Sequence, residues 1–499
     1  MGQTMYLLGF DIGTSSIKAT LMDAQTQTVA ASATSPKKEM EILAPRPGWA
    51  EQEPMSWWQN VKQAAAEILA TSRVRPSEIK AIGITYQMHG LVAVDKSGKP
   101  LRPSIIWCDS RAVEVGARAA KKIGPRKCLQ NLLNYPGNFT ASKLRWVREN
   151  EPKLYKQIHK VMLPGDFIAM KMTDRTVTTV SGLSEGIFWD FKKNQIARQI
   201  LSAMDIDPAL LPETVETFGV QGELTAQAAR ELGLAAGTVV AYRAGDQPNN
   251  AFSLNVLDPG EIAATAGTSG VVYGIGKKPA FDSASRVNTF VHVNHTAKSP
   301  RYGVLLCLNG TGILNSWLKH NIVAPGLDYP QMNALADQIP VGSNGLVILP
   351  FGNGSERILE NRNLGGLVRN LNFNVHTQAH VLRAAQEGIV FALNYGLDIM
   401  RNMGVTIRKV RAGSANMFLS PIFASAFATV TGSTVELYNT DGSQGAARGA
   451  GLGCGTYRTP KSAFSGLKKV RTIEPNARQS KAYKLAYQNW LAALQQATE

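Results

Sequence analysis

The stretch MYLLGFDIGTSSIKATLMD, residues 5–23, decides how the rest of the chain is read. Leu7, Leu8 and Phe10 lead in, Gly13-Thr14-Ser15-Ser16 turns, and Ile17, Ala19 and Leu21 alternate outward, which predicts strand, tight turn, strand. EIAATAGTSGVVYGIG, residues 261–276, repeats the plan around Gly267-Thr268-Ser269-Gly270. Short Gly/Thr/Ser strings also coincide by chance. Their placement, one in each half, favours a duplicated architecture in which each half offers a polar turn to a shared cleft.

At 499 residues the chain is too long for one hydrophobic core, so two large domains are expected. Hydrophobic residues at 44% and charged residues at 18% describe an ordinary folded protein. Lys and Arg number 53 against 37 Asp and Glu, a net charge of +16 that suits nucleic acid or small anionic substrates such as nucleotides and sugar phosphates. The basic residues are scattered, as in KK at 37–38, KK at 121–122 and GKKP at 276–279, with no continuous stripe. No nucleic-acid partner is therefore expected. Cys108, Cys128, Cys307 and Cys454 lie far apart without a CxxC pair, which fits reduced thiols in a cytoplasmic protein. The opening MGQTMYLLGFD reaches an acid before any apolar signal region develops. Tyr6 stands where a myristoylation motif wants Ser or Thr. No apolar run approaches the ~20 residues of a membrane span, so no membrane partner is expected.

Strand and helix patterns alternate in both halves, which predicts an α/β fold. PMSWWQNVKQAAAEILATS reads as a helix from Pro54, IKAIGITYQMHGLVAVD as β-rich, and ASKLRWVRENEPKLYKQI as a helix broken at Pro152. In the second half 310–322, 377–404 and 416–432 read as helices, the last kinked at Pro421. GSQGAARGAGLGCG, 442–455, suits a helix packed very close to other backbone. Pro-Gly punctuation in NVLDPGE places the boundary between residues 1–250 and 251–499.

No GxxxxGK[ST] string exists, and the HRD and DFG strings of protein kinases are absent. If the chain handles ATP, it does so with its hairpin turns, whose successive N–H groups form a concave anion site. Asp11 would then be placed to hold hydrated Mg²⁺, which keeps several waters and few carboxylates. A plain hairpin turn also accommodates Asp and Gly. Asp246, in YRAGDQPNNAF (242–252), is either a turn residue or the carboxylate that phosphoryl transfer to a hydroxyl needs as proton acceptor. Gln87, Met88 and His89 offer an amide, a thioether and an imidazole, a fair polyol-binding edge, although a histidine satisfied in the core reads the same. HTQAH (376–380) and HVNH (292–295) lack the remaining ligands of a metal centre.

These strings resemble the FGGY carbohydrate kinases. GFDIGTSSIKATLMD (9–23), PGWAEQEPMSWW (47–58), IGITYQMHG (82–90), PSIIWCDSR (103–111), FTASKLRWV (139–147), KVMLPGDFIAMKMT (160–173) and AGTSGVV (266–272) occur in that family's order, and the likeness runs to about residue 455. The resemblance implies two actin-like (ribonuclease H-like) domains with a catalytic cleft between them. It implies transfer of the ATP γ-phosphate to the 5-hydroxyl of D-xylulose, with Mg²⁺, and a possible homodimer. Asp246 matches the catalytic base and Asp11 the metal-associated acid. Gln87, Met88, His89, Trp107, Phe139 and Gln247 match the sugar site, with Asn250 as a further hydroxyl contact. Thr14, Ser15, Gly267 and Thr268 match phosphate turns, Gly310 and Thr311 the nucleotide grip, and Gly413 and Asn416 adenosine contacts.

The chain departs from the family at three places. RAGSAN (411–416) has Arg411 and Ala412 where many relatives carry glycines; PFGNGSERILENRNLGG (350–366) loses the usual Thr-Pro; Gln247 stands where Asn is usual in ketose kinases. Ribulose, gluconate or glycerol remain alternative acceptors. A sugar-sensing relative without turnover remains the alternative class, disfavoured because a sensor has no need of a base.

Overall fold

In the computed structural model residues 4–499 are described, and the acylation position Gly2 lies outside them. The chain forms two compact units interleaved in sequence. Residues up to Asn255 join 290–302 and 440–467 in the first; 256–289, 303–439 and 468–499 make the second. The sequence reading draws a single cut near 250. The later return of 440–467 to the first unit is explained by one helix packing on its sheet.

That first sheet has six strands in the order Phe218–Glu223, Val239–Gly245, Ile79–Tyr86, Tyr6–Ile12, Ile17–Asp23, Val29–Ser35. Tyr6–Ile12, Ile79–Tyr86 and Val239–Gly245 run parallel. Ile17–Asp23 returns antiparallel across the Gly13–Ser16 turn, with Ile12 opposite Ile17. Leu7, Leu8 and Phe10 are all fully buried, so consecutive positions are covered and both faces of the sheet are packed. On one face the Pro54–Ser72 helix brings Trp57 and Trp58 into a core with Leu8 and Phe10.

The Gly442–Gly453 helix lies on the other face, backbone against backbone. Gly9 and Gly83 sit opposite each other in parallel register, and a Cβ on either would stand 1.9 Å from a helix carbonyl, that of Ser443 or of Ala446. The small residues of this helix thus have the use that their composition predicts.

A seven-stranded sheet organises the second unit. Beyond its edge strand Asn288–Val291 the order is Tyr302–Leu308, Gly270–Gly276, Glu261–Ala266, Lys409–Gly413, Thr434–Tyr438, Lys469–Ile473. Glu261–Ala266 pairs antiparallel with its hairpin partner and parallel with Lys409–Gly413, which pairs parallel with Thr434–Tyr438; Lys469–Ile473 closes antiparallel. This repeats the strand plan of the first sheet, so the architecture is a duplicated α/β one. The 25-residue helix Gln378–Asn402 fills the core with Ile389, Val390, Leu393 and Leu397.

One expected kink is absent. Pro421 opens the helix Pro421–Thr431 at its first turn, with Ser420 as N-cap accepting from Phe423 N–H. Residues Asn416–Leu419 form a separate 3₁₀ turn before it. Proline fits the first helical position because it has no N–H to leave unpaired there.

Parallel strands deliver their C-terminal ends to one edge, where open α/β sheets bind ligands. In the first sheet Ile12 and Gly245 both pair with Tyr86. Gly13, Gln87 and Asp246 therefore emerge side by side.

Candidate active site

Both polar turns are anchored by their carbonyls. In the first, the Thr14 carbonyl accepts from Gln52 Nε2 at 2.7 Å and the Ser15 carbonyl from Met40 N–H at 2.8 Å. In the second, the carbonyls of Gly267 and Thr268 accept from Gly312 and Ile313 N–H at 2.8 and 3.1 Å, at the start of the Gly312–Asn321 helix. In a planar trans peptide the C=O and the following N–H point in opposite directions. The amides of Ser15 and Ser16, and those of Thr268 and Ser269, are thereby turned away from their anchors in successive pairs, the arrangement that binds anions.

Two acids stand at the edge of the first sheet. Asp11 is half-buried, and its Oδ2 lies against Gly442, where a Cβ would approach it to 2.5 Å. Burial pushes its carboxyl up to about 6, with Asp441 adding to the rise and Lys18, its partner across the hairpin, opposing it. Asp246 opens the Asp246–Ser253 helix directly after Gly245. Burial raises it to about 7, the charge of Asp11 adds, and hydrogen bonds from the backbone and side chain of Gln247 oppose.

The wall beside these acids is one hydrogen-bonded chain. Trp107 Nε1 donates to Thr14 Oγ1 at 2.9 Å, Thr14 Oγ1 to Gln87 Oε1 at 3.2 Å, and Gln87 Nε2 to Gln52 Oε1 at 2.9 Å. The Trp107 ring is 49% exposed, so its face is open to a ligand. Thr14 spends its hydroxyl on this wall, whereas Ser15 is exposed.

His89 adopts a left-handed backbone conformation, φ 62°, unusual for a residue with a side chain. Three contacts hold it there. Its Nδ1 donates to the Glu185 carbonyl at 2.8 Å, its own carbonyl accepts from Lys143 Nζ at 2.8 Å, and Phe139 meets the ring edge-on with centroids 4.8 Å apart. A carbonyl only accepts, so the hydrogen of a neutral His89 sits on Nδ1. Lys143 is fully buried, and burial brings it down to about 7 against the pull of Asp109. Phe139 is only 4% exposed and backs His89 rather than facing solvent.

In the second unit Gly267, Thr268, Gly413 and Asn416 come together. The Asn416 amide nitrogen is 3.5 Å from where a Gly267 Cβ would lie, and a Cβ on Gly413 would meet open space. Gly310 and Thr311 stand just before the Gly312–Asn321 helix, and Gly310 lines a cavity of the second unit. Gly310 N–H donates to Glu356 at 3.1 Å, Gly310 has the Pro350 carbonyl where a Cβ would go, and Thr311 is fully buried against Gly270. The Arg411 and Ala412 departures are absorbed in the sheet. Arg411 pairs with Glu261 at 3.0 Å and Glu436 at 3.3 Å, and the Ala412 methyl is in the core.

Sequence reasoning missed three contributors. Asp441 caps the Gly442–Gly453 helix through Gln444 N–H at 2.9 Å and bears electrostatically on Asp11. Glu356, 1% exposed, receives Asn309 and Gly310 N–H, while burial raises it to about 7. Glu185 lies under the Asp246 junction. Only Glu356 left a trace in sequence, in the Gly-x-Glu-Arg of the altered loop. A cavity of about 530 Å³ in the second unit, lined by Leu314, Trp317, Leu349 and Leu367 together with Gly310 and Asn353, is almost wholly apolar.

Residues 6–253 match the N-terminal domain, and residues 262–454 the C-terminal domain, of the FGGY family of carbohydrate kinases. The chain belongs to this family, and it is an ATP-dependent sugar kinase. It is 27% identical over 492 residues to a xylulose kinase of Bacillus subtilis, covering 97% of this chain and 95% of that protein. The crystal structure of a xylulose kinase from Rhodospirillum rubrum aligns over 98% of both chains with TM-score 0.88 at 26% identity. A Plasmodium falciparum glycerol kinase with ADP shares the fold at TM-score 0.88 and 19% identity, covering 100% of this chain and 99% of its own. No helix among the described residues is long and apolar enough to cross a membrane.

Proposed function

We propose that the protein phosphorylates the 5-hydroxyl of D-xylulose, with Asp246 as the base. The observation that carries this is the placement of Asp246 beside Met88 and His89 at one strand edge, with the acid raised to about 7. The xylulose kinases among its relatives support the acceptor. Asp246 takes the hydroxyl proton as the oxygen attacks the γ-phosphorus; Gln247 orients the base, and the Trp107 face and His89 hold the sugar. The two anchored turns hold phosphate oxygens through their amides, and Asn416 and Gly413 line the approach of the nucleoside.

No group of three or more acidic, His or Cys ligands among the described residues suits a metal ion, and Mg²⁺ needs no such cage. Asp11, desolvated beside Asp441, fits a hydrated Mg²⁺ that shares its ligands with nucleotide phosphates. When bound, the ion neutralises charge on those phosphates. Asp11→Ala is expected to lower turnover and raise the Mg²⁺ concentration the reaction needs, with added Mg²⁺ restoring rate, while leaving sugar affinity near the parent's. Magnesium titrations of the rate check it, and a normal rate at unchanged Mg²⁺ dependence rejects it.

The acceptor is tested by kcat/KM for D-xylulose, L-ribulose, D-ribulose, gluconate and glycerol. D-xylulose is expected to lead and glycerol to trail by orders of magnitude, since Met88 is buried as one apolar wall and His89 gives one neutral hydrogen-bonding group. His89→Ala is expected to raise the ketose KM and lower kcat together, because the sugar is both loosened and misaligned with Asp246. A lead for glycerol or gluconate refutes the reading of Met88 and His89.

A further inference from the structure

Glu185 closes the short Val180–Glu185 helix and is 1% exposed. It meets the acceptor site twice. Its main-chain carbonyl receives the His89 Nδ1 hydrogen at 2.8 Å. Its carboxyl lies behind Gly245, where a Cβ would stand 2.4 Å from Glu185 Oε2 and 2.6 Å from Met88 Cγ. The acid and the thioether thus close on one backbone position, the residue before Asp246.

The remaining surroundings of this carboxyl are also defined. The Tyr86 phenol hydrogen-bonds to it, and Oε1 is buried with no protein partner. Asp246 and Asp166 are the charges bearing on it, and Arg243, the nearby cation, is paired with Asp166 at 3.0 Å. His89 faces its main chain. Burial raises the acid well above the usual carboxylate range; Tyr86 opposes, and the two aspartates add. Burial of an oxygen without a protein partner favours the uncharged form of the acid.

We propose that Glu185 is a positioning and specificity-determining residue of the acceptor pocket: its carboxyl braces Met88 and the Gly245–Asp246 junction from behind, while its carbonyl orients His89. The proposal rests on the acceptor site described above. Methionine is a flexible side chain that moves into adjacent space when space is offered. With the Glu185 carboxyl in place Met88 has no room to retreat, and the pocket keeps one length. Removing the carboxyl opens a hole that Met88 enters, which lengthens the pocket and frees the base from its alignment.

The experiment measures kcat and KM for D-xylulose and for gluconate, one carbon longer, on the parent, Glu185→Gln and Glu185→Ala, with thermal melts of each. Glu185→Gln keeps the shape without charge and is expected to retain the parent's acceptor ratio. Glu185→Ala is expected to cut kcat/KM for the ketose by ~10–100-fold and the ketose-over-gluconate ratio by ~10-fold. If Glu185→Ala melts early, Glu185→Asp, one methylene shorter, carries the same ratio test. An unchanged ratio in the shortened variants overturns the proposal, and so does a lost ratio in Glu185→Gln, which keeps the shape. A parent without turnover on any acceptor removes the kinase reading and this proposal together; an active parent with parent-like variants removes only the role of Glu185.

Discussion

Asp246→Asn is expected to lower sugar phosphorylation by at least about 10²–10⁴-fold, the usual contribution of a general base, while nucleotide binding stays near the parent's. The amide fits the same space and keeps Gln247 as a neighbour, so the loss reports proton acceptance rather than collapse of the site. The pH dependence gives a second readout with a defined sign. The base works ionised, and burial beside Asp11 holds it near 7. The parent's kcat/KM should therefore sit on a plateau above that pH and fall about tenfold per unit below it. A coupled ADP-release assay across this range checks both statements. An Asp246→Asn variant within about threefold of the parent would remove the assignment.

Gly9→Ala is expected to produce the largest loss of stability, about 4 kcal/mol or more. A single methyl there meets the Ser443 carbonyl oxygen at 1.9 Å and the Ala447 nitrogen at 2.5 Å. Both are main-chain atoms of a helix that cannot move without leaving the sheet, so the clash has no cheap relief. Gly413→Ala is the control, because its methyl would meet nothing within 4 Å. Its melting temperature should match the parent's. Its KM for ATP should rise, since the proposed nucleoside approaches that bare backbone. Parallel thermal melts decide the comparison, and a Gly9→Ala protein melting with the parent would mean that the helix sits less closely than described.

Much of this was legible because the decisive signals are local. The alternation of Leu8, Phe10, Ile17 and Ala19 about Gly13–Ser16 needs only the two-residue period of a strand and the chemistry of a turn. The strand-end position of Asp246 follows from the same logic. What stayed hidden depends on contacts between distant segments. Nothing in the run VSGLSEG says that Glu185 turns beneath Gly245, 60 residues later in sequence. The glycine and threonine of NGTG read as ligand contacts in sequence, but that Pro350 and Glu356 are the neighbours of Gly310 appears only in the fold. Pro421 reads as a kink only if the helix is assumed to start before it.

The two anchored turns differ in how they can change over generations. Gln52 holds the Thr14 carbonyl with its side chain and also receives Gln87 and Trp57 Nε1, so one codon controls the set of the first turn and of the wall next to it. The second turn is fastened by the amides of Gly312 and Ile313; any residue but proline supplies the amide at 313, whereas a Cβ at 312 would stand 2.3 Å from the Gly267 carbonyl oxygen. Substitutions at Gln52 can therefore reset the first turn by degrees, whereas the second accepts almost any side chain at 313 and none at 312, so it changes abruptly or not at all.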